Sequence, residues 1–239
     1  MNRNILVTGA GTGIGLSTVK KLLDEGYYVS ACVRSSTKKL EEIDNSNLKI
    51  YKFDLCDHAS IKSMFQEIVH DKNGSIYGLV NSAGQAFGGV LSMTSIDKIK
   101  NVFEANFFSQ LYLIQLVSKK LIRHKAGSII NIASTAGIFA DEGTISYGSS
   151  KAALIHSSRV LAMELGKFNI RVNSISPAIV KTKMAELMSE TSRESLDSRK
   201  SIQGDINPED VSMLISFLIS DKSKNISGQN IRIDQAMFA

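Results

Sequence analysis

The chain has 239 residues, 43% of them hydrophobic, and a formal net charge of +5, a length that buries one large core and not comfortably two. No apolar run approaches the roughly 18 to 20 residues of a membrane span, and an apolar run already begins at Ile5-Leu6-Val7, so a cytoplasmic protein with no signal peptide and no membrane contact is expected. Lys and Arg are scattered, and Arg-Gly repeats, Cys/His fingers and aromatic-studded basic strands are missing, so nucleic acid is not an expected partner.

In chain order, short runs rich in β-branched residues predict strands over Ile5–Thr8, Tyr28–Val33, Leu48–Asp54, Ile76–Asn81, Ser128–Ser134, Ile170–Ile175 and Asn230–Asp234. Amphipathic stretches separate them. Leu16, Val19, Leu22 and Leu23 repeat at helical spacing, and Gly26 stands where a left-handed helix stop is wanted. Such alternation predicts an α/β fold, a doubly wound parallel seven-stranded sheet with helices on both faces, in a single domain over 1–239. Pro177 is expected just after the sixth strand and Pro208 in the first turn of a helix, neither at a domain boundary. Ser189 to Ser201 is polar and serine-rich, so 183–205 is read as a mobile lid. Cys32 and Cys56 form no CxxC pair and the four histidines have no ligand spacing, so no metal is expected.

Thr8-Gly9-Ala10-Gly11-Thr12-Gly13-Ile14-Gly15 follows the first strand and opens a helix. Glycines there let backbone N–H groups approach a pyrophosphate at the positive end of the helix, so a dinucleotide is expected at Gly9, Gly13 and Gly15. The second strand ends at Val33, where an NAD site would offer a carboxylate to the ribose. Arg34, Ser35 and Ser36 follow, and a guanidinium matches a 2′-phosphate, so the expected cofactor is NADP (NADPH). Tyr147 and Lys151 share a helix face at i and i+4, so the lysine cation is expected to favour the phenolate and ease release of its proton. Ser134, expected at the end of the central fifth strand, is placed to be a second donor to a carbonyl oxygen gaining charge under hydride attack.

These elements stand in a familiar order. TGxxxGxG, the Asn81-Ser82-Ala83-Gly84 element, Asn106 on the next helix, Ser134, Tyr147-Gly148-Ser149-Ser150-Lys151 and Pro177 to Thr182 together resemble the short-chain dehydrogenase/reductase family, whose fold is of Rossmann type. The resemblance covers the whole chain and is most like 3-oxoacyl-carrier-protein reductases. It implies that Asn106 holds a water linking Lys151 to solvent, that Lys151 touches the nicotinamide ribose, that Asp54 bonds the adenine amino group, that Ala83 and Gly84 line the adenosine side, and that Thr182 holds the carboxamide. The expected catalytic set is Asn106, Ser134, Tyr147 and Lys151. The expected cofactor set is Gly9, Thr12, Gly13, Ile14, Gly15, Arg34, Ser35, Asp54, Leu55, Asn81, Ala83, Gly84, Tyr147, Lys151, Pro177, Ala178, Val180 and Thr182.

Three positions depart from the family pattern: Ser82 replaces an Asn, Ala178 replaces a Gly, and Asp234-Gln235-Ala236 stands where Asp-Gly-Gly is usual. The last bears on the backbone of the final turn and any subunit contact it makes. Gln85, Thr135, Phe139, Asp141, Ile179, Met184 and Leu187 are the expected substrate lining. On the Tyr147 helix, Leu154, Leu161 and Leu165 can face the sheet while Ala152, Ile155, Val160 and Met163 point elsewhere, so a homotetramer or at least a homodimer is expected. The reading is an NADP-dependent oxidoreductase interconverting a ketone and a secondary alcohol, with a 3-oxoacyl thioester as first substrate class. The alternatives are a keto sugar or another small ketone, and a non-catalytic NADP-binding regulator.

Overall fold

The computed structural model describes residues 3–71, 75–188 and 190–237. Its strands are β1 (Asn4–Thr8), β2 (Tyr28–Val33), β3 (Leu48–Lys52), β4 (Ile76–Asn81), β5 (Gly127–Ile132), β6 (Ile170–Pro177) and β7 (Asn230–Ile233). Its helices are α1 (Gly13–Asp24), α2 (Lys38–Glu41), α3 (His58–His70), α4 (Ile96–Phe103), α5 (Ser109–His124), α6 (Ile145–Gly166), α7 (Glu190–Asp197) and α8 (Pro208–Ile219). The seven strands form one parallel sheet in the order β3-β2-β1-β4-β5-β6-β7. The order reverses between β1 and β4, and a crevice for ligands opens at such a reversal beyond the carboxyl ends of the strands.

Alternation along β1 explains why the sheet carries helices on both faces. Ile5 and Val7 join one core with Leu16, Val19 and Leu22 of α1 and Val211 and Ile215 of α8. Leu6, pointing the other way, joins a second core with Ile61 and Phe65 of α3 and Leu113, Val117 and Leu121 of α5. The helix stops follow their local chemistry. Past α1, Gly26 has φ of 79° and its N–H donates to the Leu23 carbonyl at 2.9 Å, the left-handed stop read from the sequence. Pro208 opens α8, where the Asp210 carboxylate accepts from the Asn207 N–H at 2.7 Å.

Several strand ends differ from those expected from the sequence. β3 stops at Lys52, since the Asp54 side chain accepts from the Cys56 N–H at 2.9 Å and turns the chain. β5 begins at Gly127 and stops at Ile132, the last residue paired with β6, so Ser134 has left the sheet. β6 continues through Pro177: there its neighbour is β7, and the bond at that level comes from the Ala178 N–H to the Ile233 carbonyl, so the missing proline N–H is not called on. Residues 190–197 form helix α7, with no buried residue, where a polar mobile stretch is expected; Ser189 lies outside the described residues.

Candidate active site

The phosphate loop is shaped by contacts that only glycine allows. A Cβ on Gly15 would lie 2.1 Å from the Gly9 carbonyl oxygen, and Gly9 itself has φ of 65°. Thr12 caps α1 without a side-chain hydrogen bond, and the first turn holds no acidic residue. The free N–H groups at this helix start therefore suit a phosphate. Thr182 sits opposite, its Cγ2 2.9 Å from where a Gly13 Cβ would be. A cleft of about 880 Å³ runs between the Gly11–Gly13 stretch and Ile179, Thr182 and Ala185. Ile14 and Ala178 are half-buried and Val180 is buried in the core that carries α1, Pro177 is buried at the end of β6, and half-buried Leu55 packs instead against the core on the opposite face of the sheet.

Arg34 and Ser35 are exposed just beyond the end of β2, where Val33 packs against the loop: a Gly11 Cβ would lie 3.6 Å from its Cγ1. Asp54 is exposed; one carboxylate oxygen serves its own turn, and the other is available to an adenine. Thr8 Oγ1 accepts from the N–H groups of Ser82 and Ala83, both at 3.1 Å, while the buried Gln110 amide donates to the Ala83 carbonyl at 2.7 Å. The 82–85 loop is thereby fixed from two sides. Asn81 does not reach a ligand with its side chain. It is wholly buried and donates to Asn131 at 2.9 Å, which donates to Ser158 of α6 at 2.9 Å, so any contact it makes with a dinucleotide is through its backbone.

Ser134, Tyr147 and Lys151 meet beyond the end of β5. Ser134 caps a 3₁₀ turn over Thr135–Gly137, accepting from the Ala136 N–H at 3.2 Å. That turn lies directly on α6, because Gly148 carries no Cβ, which would lie 2.5 Å from the Ala136 carbonyl oxygen. The close approach brings the Ser134 side chain to the Tyr147 phenol, near enough to lower its pKa.

The electrostatics correct the simple lysine-and-phenol picture. Burial pushes the Tyr147 phenol above its ordinary value, and the Ser134 hydrogen bond only partly offsets this. Lys151 is buried, which pulls its ammonium down to about 8. Its Nζ donates to the Ile132 carbonyl at 2.7 Å and lies 5.8 Å from the centre of the Tyr147 ring. In this state, the lysine is anchored to β5 instead of holding the phenol in its ionised form. Gly84 is the close neighbour of that amine: its Cβ position is 3.6 Å from Nζ and 2.9 Å from Asn106 Oδ1.

Asn106 lies in a π-helical turn, Glu104–Phe108, between α4 and α5. A turn of this kind bulges the helix, and here it directs the amide inward. Asn106 accepts from the Gln85 N–H at 2.7 Å and donates to the Gln85 carbonyl at 2.9 Å and to Ser150 Oγ at 3.1 Å. Ser150 in turn donates to the Tyr147 carbonyl at 2.7 Å. Asn106 thus ties the 82–85 loop to the first turns of α6.

The expected substrate lining is brought together only in part. Gln85 and Met184 are exposed near the mouth, and Phe139 and Ile179 are half-buried. Thr135 is buried at 8% exposure, too enclosed to form a wall. Asp141 is ion-paired with Arg199 at 2.9 Å. The side chain of Leu187 lies outside the described residues. Sequence reasoning missed Thr8, Gln110 and Thr37, whose hydroxyl donates to the Gly11 carbonyl at 2.8 Å and braces the phosphate loop. Gln110 stands four residues after Asn106, and that spacing was the available signal.

A parallel sheet with a glycine loop at its switch point and a Ser-Tyr-Lys set beside it defines an α/β oxidoreductase. Residues 9–237 match the family model described as enoyl-(acyl carrier protein) reductase. The chain is 33% identical over 235 residues to a 3-oxoacyl-(acyl-carrier-protein) reductase FabG of Thermotoga maritima, covering 96% of this chain and 95% of that one. Among solved structures it is similar to 4-hydroxyisoleucine dehydrogenase complexed with NADH, at TM-score 0.91 and 32% identity, and to ElxO with NADP bound, at TM-score 0.89 and 27% identity. Each covers 99% of both chains. This chain belongs to the short-chain dehydrogenase/reductase family.

Proposed function

We propose that the protein is an NADP(H)-dependent reductase, or dehydrogenase in the reverse direction, that interconverts a ketone and a secondary alcohol. The observation that carries this reading is the convergence beyond the end of β5 of the Ser134 turn, packed directly on α6 at Gly148, with Tyr147 and the buried Lys151 amine, whose Nζ lies 5.8 Å from the centre of the Tyr147 ring. A regulator that only binds a nucleotide has no need of a proton donor so placed. When bound, the dinucleotide supplies or accepts the hydride; the proton and the charge on oxygen fall to the protein.

In this reading, Tyr147 gives its proton to the oxygen of the reacting carbonyl and Ser134 donates a second hydrogen bond to it. Lys151 is positioned by the Ile132 carbonyl, and Asn106 holds the 82–85 loop against it. The free N–H groups of α1 and Gly9, Gly13 and Gly15 take the pyrophosphate, Asp54 the adenine and Thr182 the carboxamide. Arg34 and Ser35 select the 2′-phosphate. The reading takes 1–239 as one domain, with 183–205 closing over the substrate.

A 3-oxoacyl thioester is the first substrate class, supported by the 33% identity to the Thermotoga maritima reductase and by the partly open Phe139 and Met184. The likeness to 4-hydroxyisoleucine dehydrogenase at 32% identity favours a small ketone or alcohol as the second. A homodimer or homotetramer is proposed from α6, where Val160 and Met163 are exposed at 41% and 85%. The test is an NADPH-oxidation screen over acetoacetyl thioesters, keto sugars and simple diketones. Consumption with the thioester is expected. Activity confined to another ketone moves the protein to the second class, and NADPH binding without turnover of any carbonyl removes the enzymatic reading.

A further inference from the structure

The final turn of the chain is built more elaborately than a dinucleotide site requires. Gln235 and Ala236 both take left-handed backbone, with φ of 54° and 56°. Non-glycine residues avoid this conformation because their Cβ crowds the neighbouring carbonyl, and they keep it where surrounding contacts over-determine it. Here those contacts come from the end of the 183–205 segment. The Gln235 carbonyl accepts from the N–H groups of Ser201 and Ile202, at 3.0 and 3.1 Å. Its side-chain amide donates to the Gly204 carbonyl at 3.1 Å, and the Ser201 hydroxyl donates to the Ala236 carbonyl at 3.4 Å.

The same stretch is held from the catalytic side. Arg199 pairs with Asp141, on the loop between the Ser134 turn and α6. Arg232, which pairs with Asp234 at 3.2 Å, lies 5.4 Å over the Phe139 ring of that same loop. Beyond Gly204, the Lys181 N–H donates to the Ile206 carbonyl at 2.9 Å and closes the segment back onto the stretch after β6. The segment is rooted at both ends, while α7 in its middle buries nothing.

We propose that Gln235 is a positioning residue for substrate: it anchors the root of the 183–205 segment so that Arg199 meets Asp141 on the loop after the Ser134 turn, and it thereby sets affinity for the carbonyl compound more than for the dinucleotide, whose phosphate loop that segment also flanks. This rests on the reading of 183–205 as the substrate-facing segment. Glycine at 235 relieves the left-handed backbone while releasing the Gly204 carbonyl, so Gln235→Gly separates a positioning role from a stabilising one.

The experiment compares the wild-type protein with Gln235→Gly and Gln235→Glu, the second replacing the donating amide by a carboxylate that repels the Gly204 carbonyl. Tm, NADPH Kd, KM and kcat for an acetoacetyl thioester and for a simple diketone, and the rate of trypsin cleavage at Arg193, Arg199 and Lys200 are measured. Both variants are expected to raise KM by about 2- to 12-fold, the worth of one hydrogen bond, and to speed cleavage several-fold. NADPH Kd is expected to change clearly less than KM does, and the Tm of Gln235→Gly to be unchanged or higher. Unchanged KM and cleavage overturn the proposal, as does a fall in Tm accompanied by equal weakening of NADPH binding, which makes Gln235 a general scaffold residue. Arg199→Ala in the same assay separates the two readings: if it leaves KM unchanged, 183–205 is not the substrate segment and the underlying reading fails, whatever Gln235 does.

Discussion

Lys151 Nζ donates to the Ile132 carbonyl at 2.7 Å, so the central cation of the site is fastened to the end of a strand. Burial lowers its pKa from 10.5 to about 8, with a sign that can be checked by linkage. The unfolded chain holds this proton up to about pH 10.5, so below pH 8 the lysine is charged in both states and its burial opposes folding. Between pH 8 and 10.5 the folded protein has lost the proton and the unfolded chain has not, so this contribution to stability rises with pH. Lys151→Met should remove that dependence. Chemical denaturation of both proteins from pH 6.5 to 10 should show the wild type gaining relative to the variant as pH rises; a parallel pair of curves contradicts the shift.

Ser134 lowers a phenol that burial raises. Ser134→Ala should leave Tyr147 harder to ionise and remove one donor to the developing oxyanion, costing about 10²-fold in kcat. The limb of the pH–rate profile that reports the phenol should move upward. A kcat within threefold of wild type, with an unmoved profile, places Ser134 outside the chemistry.

Arg34 is the one strong donor proposed for the 2′-phosphate. A hydrogen bond to a charged group contributes about 1.5 to 3 kcal/mol, so Arg34→Ala should weaken NADPH binding by about 10- to 150-fold and leave NADH nearly unchanged. Val33→Asp puts a carboxylate beside Gly11, where it repels the phosphate and accepts from a 2′-hydroxyl, and should reverse the preference. Titration calorimetry with both dinucleotides measures this. Equal loss for both in Arg34→Ala contradicts the assignment.

The exposed Val160 and Met163 on α6 predict self-association. Ile155, expected on the same outward side, is instead buried within the chain at 5% exposure, which narrows the apolar patch. Light scattering at micromolar concentration should give a dimer or tetramer, and Met163→Glu should shift it toward monomer. A monomeric wild type removes the interface.

How far the sequence could be read depended on whether a signal was local or came from distant parts of the chain. β1, β2 and β4 are short apolar runs buried on both faces, and that continuous apolar character between helical stretches made them legible. The phosphate loop and the Tyr147–Lys151 spacing are local patterns, so each was legible at its own position. Boundaries were not, because they depend on which neighbour a strand pairs with: β5 leaves β6 at Ile132–Ile175 while β6 runs on to Pro177 beside β7, and Ser134 is left on a turn. Nor could spacing reveal that Thr135 is enclosed, that Asp141 meets Arg199, or that the Lys151 amine turns to Ile132. These depend on residues brought together from distant parts of the chain.

The central claim is that Tyr147 is the proton donor, and Tyr147→Phe tests it most directly, because the ring and its packing stay while only the hydroxyl is lost. With kcat and NADPH Kd measured on the same preparation, kcat should fall by at least about 10²-fold, within the range of general acid catalysis, and Kd should stay within about twofold. A variant that keeps more than about a tenth of wild-type kcat contradicts the account, since so small a loss falls below what a general acid contributes.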